Sequence, residues 1–357
     1  MAPFRTFIFG AGNIGTALAG ALTTLPEMAV TLADSTDEAL DAARRSGIDA
    51  TFRSGYLPGD LRSMAAGHDL VVAAVPDRTV PETVRLAAEI GTHYLDFSRP
   101  APETRAALAG LSEHRAVLTG CGASPGLVET LAMDLVSQFS EIEELTIRVG
   151  AIPQHPVNRL GYGRIWNMDG LFDEYLLPSP ALRDGKKVML DPLEDYERFV
   201  VDGMAYEAFV TSGGMTDDFA SCAVPVRGLT FKTIRHPGHL DYMRFLLDDL
   251  GLRKRRDMLK SLLCNGLPVV EEDVVMFFIT ARGRSEVESV ERSIFRRLSP
   301  SFQAGRFNAL TRVAVGYAAN LIDLLKRGEL GERGIIAHHS LPVEPILESR
   351  FLTGMAP

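Results

Sequence analysis

Gly10-Ala11-Gly12-Asn13-Ile14-Gly15 sets three glycines at the spacing G-x-G-x-x-G, directly after the apolar run Phe7-Ile8-Phe9 and at the start of a helical-period segment. In that context the missing side chains let a pyrophosphate come close to the backbone. The first N–H groups of the following helix then point at it. Asp34 closes the next apolar run, Ala29–Ala33. A carboxylate there accepts hydrogen bonds from a ribose 2′-hydroxyl and repels a 2′-phosphate. Ser35 and Thr36 follow, and no arginine occurs before Arg44, so NAD is expected and NADP is disfavoured. Val75-Pro76 and Ser98 follow the fourth and fifth apolar runs. That is the edge of the sheet where the nicotinamide end of such a ligand is expected, although plain packing also explains Val75.

A second group of residues suits proton transfer and carboxylate binding. Lys232, Arg235, His236 and His239 fall in one short strand-to-turn segment. Lys232 and His239 are candidate general bases, and the planar fork of Arg235 fits a substrate carboxylate. The plainer readings are a solvated strand residue for Lys232, a salt bridge between domains for Arg235, and the first residue of a helix for His239. Asp96, at a strand end on the cofactor side, is a third candidate, either for binding a substrate ammonium or for capping the loop at Ser98. Tyr162, Arg164 and Trp166 alternate in a stretch read as extended, which would put an aromatic wall and a cation on one face.

The elements that must position these residues follow from periodicity. Short apolar runs at Phe7–Phe9, Ala29–Ala33, Asp49–Phe52, Leu70–Val75, Tyr94–Phe97 and Ala116–Leu118 alternate with helical-period segments. That alternation predicts six parallel strands in a doubly wound Rossmann sheet over residues 1–125. From 126 to 307 the strand-like runs 145–152, 224–234 and 274–280 are separated by long Pro- and Gly-rich stretches. A second α+β domain with an open mixed sheet is expected, carrying the substrate site and a dimer contact. The apolar stripe Leu310–Leu325 predicts a helix, within residues 308–335, that completes the first domain.

Composition removes several classes of function. The net charge of −9 and the brevity of the one dense basic run, Arg253–Arg256, argue against nucleic acid as a partner. No stretch approaches the ~20 apolar residues of a membrane span. Three scattered cysteines (Cys121, Cys222, Cys264) read as free thiols, and the chain enters a strand without a separate leader, so a cytoplasmic location is expected. His338-His339 lacks partners at ligand spacing, and no metal is expected.

The segment Thr119-Gly120-Cys121-Gly122-Ala123-Ser124-Pro125-Gly126-Leu127 resembles the saccharopine dehydrogenase family, in which a Gly-x-x-Pro-Gly turn joins the last Rossmann strand to the next helix. Val149–Pro153, Leu160-Gly161-Tyr162, Trp166, Asp173-Glu174-Tyr175, Arg183–Lys186 and Lys232–His239 fall in the family's order, so the resemblance covers nearly the whole chain. The length and the stretch 207–214 are most like the lysine 6-dehydrogenase branch, which oxidises the terminal amine of lysine with NAD. Hydride leaves a carbon bearing nitrogen only when that nitrogen has a lone pair, which is why a base is needed. Saccharopine reductases have Asp and Cys where this chain has Ser124 and Val149, and both branches carry Lys where it has Gly163, followed by Arg164. The resemblance therefore implies an NAD-dependent oxidoreductase acting on an amino-acid amine, as a homodimer. Two alternatives stay open: a reductase joining an amine to a carbonyl, with Arg164 as a second carboxylate clamp, and an NAD-binding regulatory protein without chemistry.

Overall fold

The computed structural model describes residues 2–55, 58–215, 219, 222–286, 288–300, 307–353 and 355. It divides into two compact units, Met1–Leu127 with Thr311–Thr353, and Val128–Leu310.

The first unit begins with six strands, β1 (Phe4–Phe9), β2 (Met28–Asp34), β3 (Thr51–Ser54), β4 (Leu70–Ala73), β5 (His93–Asp96) and β6 (Ala116–Leu118). Between them lie α1 (Asn13–Leu22), α2 (Asp37–Arg44), α3 (Pro58–Ala65), α4 (Val80–Ile90) and α5 (Arg105–Ser112). All four residues of β4 are buried, as a central parallel strand covered on both faces requires. Leu18, Ala19 and Leu22 bury one side of α1. Gly91, at φ 68°, ends α4 in the left-handed conformation that a Cβ disfavours. From β6 a Gly-rich turn with a cis Ser124-Pro125 bond leads into α6 (Leu127–Val136), which carries the chain out of this unit.

The second unit is built on the long β7 (Glu141–Pro153). After α7 (Met168–Leu176) come β8 (Ser179–Arg183), β9 (Lys186–Leu190), β10 (Glu197–Val201), β11 (Met204–Val210) and β12 (Leu229–Arg235). They are followed by α8 (His239–Arg244), α9 (Arg256–Gly266), β13 (Asp273–Arg284) and β14 (Ser289–Leu298). The main path of this sheet runs β10-β11-β12-β7-β13-β14, with β8 on β12 and β9 on β8. Only β12 and β7 pair in parallel, so the sheet is mixed. Ile152, Phe172, Phe209, Ile234, Met243, Leu259 and Met276 belong to one core built from the sheet and α7–α9.

The chain then returns through α10 (Ala309–Lys326) to a two-residue strand, β15 (Gly334–Ile335), and α11 (Val343–Leu347). The first sheet consequently has seven strands, in the order β15-β6-β5-β4-β1-β2-β3, all parallel, where six were expected. The extra strand has no periodicity to betray it. Its first residue is Gly334, at φ 104°, and the strand gains its place by pairing with Ala116 and Val117. The hairpins β8–β11 and the edge strand β14 likewise lay outside the three strand-like runs read in the sequence. In β9 and β10 burial is slight and alternating (eeiei and ieiei), which leaves little continuous apolar signal.

Candidate functional site

In the first unit the three glycines of the loop have different reasons to be glycine. A Cβ on Gly10 would overlap the Ala74 carbonyl, and one on Gly15 would overlap the carbonyl of Gly10, so the fold itself demands both. A Cβ on Gly12 would meet nothing within 4 Å. The fold does not demand a glycine there, and the bare backbone leaves room for a ligand lying on the loop. Gly12 is the N-cap of α1 with no side-chain cap, which leaves the first-turn N–H groups at Asn13 and Ile14 aimed out of the helix end. These residues fit the pyrophosphate of a dinucleotide.

Asp34 ends β2, and its carboxylate is held from both sides. Oδ2 accepts from the Ala11 N–H at 2.7 Å, and Oδ1 accepts from the N–H and hydroxyl of Thr36, each at 2.9 Å. Ser35 is exposed between them. The acid thus stands fixed beside the glycine loop with lone pairs to spare for a ribose. Val75 is half-buried and Pro76 exposed just past β4.

Asp96 ends β5 and is 1% exposed. It accepts from Tyr94 Oη at 3.0 Å, from the Ser98 N–H at 3.2 Å and from the Gly120 N–H at 3.0 Å. It therefore caps the loop at Ser98 and also ties β5 to the Gly120–Gly126 turn. Burial pushes its carboxyl up to about 7, against the hydrogen bonds that favour the charged form. The Ser98 hydroxyl donates to Asp77 at 2.7 Å.

In the second unit the expected grouping of Lys232 with Arg235 is corrected. Three residues apart on β12, they point to opposite faces of the sheet. Lys232 is buried between Asp195, at 3.1 Å, and Glu197, at 3.5 Å, and Glu197 also holds Arg148. It is neither solvated nor free to act as a base. On the other side Arg235 is 2% exposed and fully engaged within its own unit. Its Nε donates to Tyr175 Oη (2.9 Å), one Nη to the Ile234 carbonyl (3.0 Å) and the other to Glu174 (2.8 Å). The Tyr162 ring lies 4.8 Å from its guanidinium carbon. Glu174 occupies the place foreseen for a substrate carboxylate.

His239 is the first residue of α8, and both of its ring nitrogens are used. Nδ1 lies 2.8 Å from the Leu160 carbonyl and so carries the proton, which leaves Nε2 to accept from Tyr175 Oη at 2.9 Å. Burial, reinforced by Arg235, drives its pKa down to about 3. It stays neutral and serves as a fixed acceptor rather than a base. His236 is also buried, with Nε2 donating to the Pro153 carbonyl at 2.9 Å.

Tyr162, Arg164 and Trp166 do not form a strand. Residues 161–167 are an irregular approach to α7, held by a bridge between Arg164 and Val269 and by side-chain hydrogen bonds from Asn158 to the Tyr162 carbonyl and from Asn308 to the Ile165 carbonyl. The chain turns at Gly161, φ 65°, where a Cβ would press on His236. Tyr162 is 1% exposed and Trp166 37%, so the trio shares no face, although Trp166 Nε1 donates to Tyr162 Oη at 3.1 Å. Gly163 has a structural cause, because a side chain there would overlap Val270 and the Pro268 carbonyl.

Two acids were not singled out by sequence. Glu174, raised to about 7 by burial against the opposing pull of Arg235, was legible only as part of the Asp173-Glu174-Tyr175 string. Glu207 is 2% exposed and accepts the N–H groups of Gly238 (2.8 Å) and Leu240 (2.7 Å), which fixes the start of α8 and with it His239. Its only signal was a charge inside an otherwise apolar strand. Among the described residues no group of three or more His, Cys, Asp or Glu is placed to hold a metal ion, and no helix is long and apolar enough to cross a membrane.

A seven-stranded parallel sheet with an acid beside its glycine loop, joined to a mixed-sheet unit, is the architecture of a nicotinamide-dinucleotide-dependent dehydrogenase. The chain belongs to the saccharopine dehydrogenase family. Residues 6–115 match the model of the saccharopine dehydrogenase NADP binding domain, and residues 122–349 that of the saccharopine dehydrogenase C-terminal domain. It is thus an NAD(P)-binding oxidoreductase of that family.

Among solved structures, apo saccharopine dehydrogenase (L-Glu forming) from Saccharomyces cerevisiae superposes with a TM-score of 0.80 at 15% identity, covering 96% of each chain. That shared fold extends over both units. A putative myo-inositol dehydrogenase from Sinorhizobium meliloti 1021 (TM-score 0.47, 15% identity, 96% of this chain and 93% of that one) is more remote. So is an engineered D-amino acid dehydrogenase bound to NADP+ (0.48, 10%, 97% and 96%). Neither bears on function.

Proposed function

We propose that this enzyme oxidises the CH–NH2 group of an amino-acid amine with NAD, with lysine as the first substrate to test. The observation that carries the cofactor half is the open space at Gly12 beside the fixed carboxylate of Asp34. When bound, the nicotinamide supplies the hydride acceptor. Gly12, Asn13 and Ile14 would hold its pyrophosphate and Asp34 its ribose. A carboxylate at that point opposes a 2′-phosphate, which supports NAD even though the matching family model is described as NADP-binding.

A substrate ammonium must lose a proton before the carbon–hydrogen bond breaks. Lys232 is held by two acids and His239 has no free nitrogen, so of the three proposed bases Asp96 is the one left. It sits at the carboxyl end of its strand, with a carboxyl near neutrality, where a general base works best. Cytoplasmic location and dimerisation through the second unit belong to the same proposal.

NADH formation followed with lysine, ornithine, diamines and saccharopine, at neutral and alkaline pH, tests the reading. Turnover of lysine with NAD, lost about 10²–10⁴-fold in Asp96→Asn together with the limb of the pH profile near neutrality, supports it. Equal use of NAD and NADP would overturn the cofactor assignment, and a panel with no turnover would overturn the amine chemistry.

A further inference from the structure

The seventh strand of the first sheet is only two residues long, and what it delivers is a buried histidine. The Gly334 N–H donates to the Arg115 carbonyl at 3.1 Å and the Ile336 N–H to that of Val117 at 2.9 Å, so β15 is tied to β6 along its whole length. Two residues past Ile336 comes His338, 1% exposed, beside Thr119, which stands two residues past Val117. Its Nε2 lies 2.8 Å from the Thr119 carbonyl, which can only accept, so Nε2 carries a hydrogen. Nδ1 lies 2.8 Å from Oη of Tyr317, a fully buried residue of α10, and accepts that hydroxyl's hydrogen.

The Thr119 carbonyl and the Gly120 N–H belong to one peptide group, and that N–H donates to Asp96 Oδ1 at 3.0 Å. A donor on the carbonyl side of a peptide polarises it and strengthens its N–H as a donor on the other side. One buried line of hydrogen bonds therefore runs from the Tyr317 hydroxyl, through the His338 ring and the Thr119–Gly120 peptide, to the carboxyl group. Oδ1 also accepts from the Ser98 N–H, so both of its lone pairs are taken. Oδ2, which meets Tyr94, is the oxygen left to exchange a proton. Burial raises the Asp96 carboxyl, and of the contacts that oppose burial the Gly120 N–H counts for most. Asp77, past β4, disfavours the charged form, and Tyr94 and Cys121 are the other titratable groups around it.

We propose that His338 is a positioning residue of the candidate active site: through the Thr119–Gly120 peptide it orients and strengthens the hydrogen bond that fixes Asp96 Oδ1, and so leaves Oδ2 as the working oxygen. The proposal rests on the reading of Asp96 as the base for its part in catalysis, but not for the existence of the relay. It also gives the two-residue strand a purpose, since the pairing of β15 with β6 is what sets the ring against Thr119.

The test titrates Asp96 by carboxyl-carbon NMR in the full chain, with Asp96→Asn identifying the signal, and follows the pH dependence of kcat/KM for amine oxidation beside it. His338→Leu keeps apolar bulk but has no donor. It should move the Asp96 midpoint up by about 0.2–0.6 pH unit, because a weaker Gly120 N–H favours the charged form less. Tyr317→Phe should move it the same way by less. His338→Gln, whose amide can still donate to the Thr119 carbonyl, should bring it back towards the unmutated value. The limb of the kcat/KM profile should follow the same order.

A midpoint that stays in place in His338→Leu, or that moves equally in His338→Leu and His338→Gln, would make His338 a packing residue and overturn the proposal. If His338→Leu does not fold, Tyr317→Phe and His338→Gln carry the comparison, and a midpoint unmoved by Tyr317→Phe overturns it. Should Asp96→Asn leave the kinetic limb in place, the reading of Asp96 as the base fails, and the relay stands or falls by the NMR midpoint alone.

Discussion

The two units of this chain are built on opposite principles. In the first unit the candidate groups are backbone N–H groups set by a strand, a glycine turn and the first turn of α1 within about a dozen residues, with one acid, Asp34, brought beside them by the next strand. In the second unit the groups are side chains whose partners come from far away. Arg235 meets Glu174 and Tyr175 some sixty residues earlier, and His239 meets Leu160. A local device is written in spacing and survives as a motif. A network of distant side chains is written nowhere as a pattern, and it fails as a unit when one member is lost.

The largest expected effect follows from that contrast. Arg235→Ala removes the donor to Tyr175 and leaves Glu174 facing a buried space without its cation. Breaking such a pair costs about 3–5 kcal/mol. Chemical denaturation should show a loss of that size, with transitions by fluorescence and circular dichroism still coincident. Replacing both charges, Arg235→Met with Glu174→Leu, should recover most of it, because the penalty comes from the orphaned charge and not from the absence of the pair. A double variant no better than the single one would mean that the tyrosine contacts, not the charges, hold the region together.

A second effect depends on pH and involves one acid from each unit. Asp96 and Glu174 are both raised to about 7, in each case by burial first. A carboxyl whose folded pKa lies above its unfolded one favours the protonated folded state. The stability it contributes is complete below about pH 4 and is lost as pH rises to about 7, at up to about 1.4 kcal/mol per pH unit for each group. Asp96→Asn and Glu174→Gln should each flatten the stability profile between about pH 4 and 7 relative to the unmutated enzyme. At pH 8 Asp96→Asn should be at least as stable, whereas Glu174→Gln should be less stable because it leaves the buried Arg235 guanidinium without its carboxylate. A profile unchanged by either substitution would show that neither acid carries a raised pKa in the folded enzyme.

The same contrast explains what could be read from the chain. The central strands of the first sheet were legible because buried parallel strands are continuous apolar runs, as Leu70–Ala73 shows, whereas the exposed edge strand Thr51–Ser54 was read two residues early, at Asp49–Phe52. The acid at Asp34 was legible because it ends such a run. The role of His239 as the first residue of a helix was foreseen as one of two readings, whereas the closure of its ring between Leu160 and Tyr175 required knowing which loop returns there. Strand parity alone would have separated Lys232 from Arg235, since an odd spacing on a strand reverses the face. The alternation of Tyr162, Arg164 and Trp166 misled because period two implies a strand only where a partner strand exists, and this segment has a single bridge. Glu174 and Glu207 entered the sequence reading only inside strings that resemble the family, and nothing there showed their role, because it lies in what they oppose.

The smallest effect on stability, and the sharpest test of the local principle, is expected at Gly12. Its φ of −71° and ψ of −167° are open to any residue, and a Cβ there meets no protein atom within 4 Å. Gly12→Ala should therefore change unfolding free energy by no more than about 0.5 kcal/mol, the few tenths that separate glycine from alanine at an N-cap included. Cofactor affinity should fall by at least about tenfold, because the new methyl group occupies the approach that a pyrophosphate needs and holds it away from the first-turn N–H groups. Calorimetric titration of NAD, set beside thermal unfolding of the same two proteins, separates the effects. A variant that binds NAD normally would show that the loop does not hold the pyrophosphate. One that unfolds several degrees lower would show that Gly12, like Gly10 and Gly15, is demanded by the fold, and the division between a glycine kept for packing and a glycine kept for a ligand would not stand.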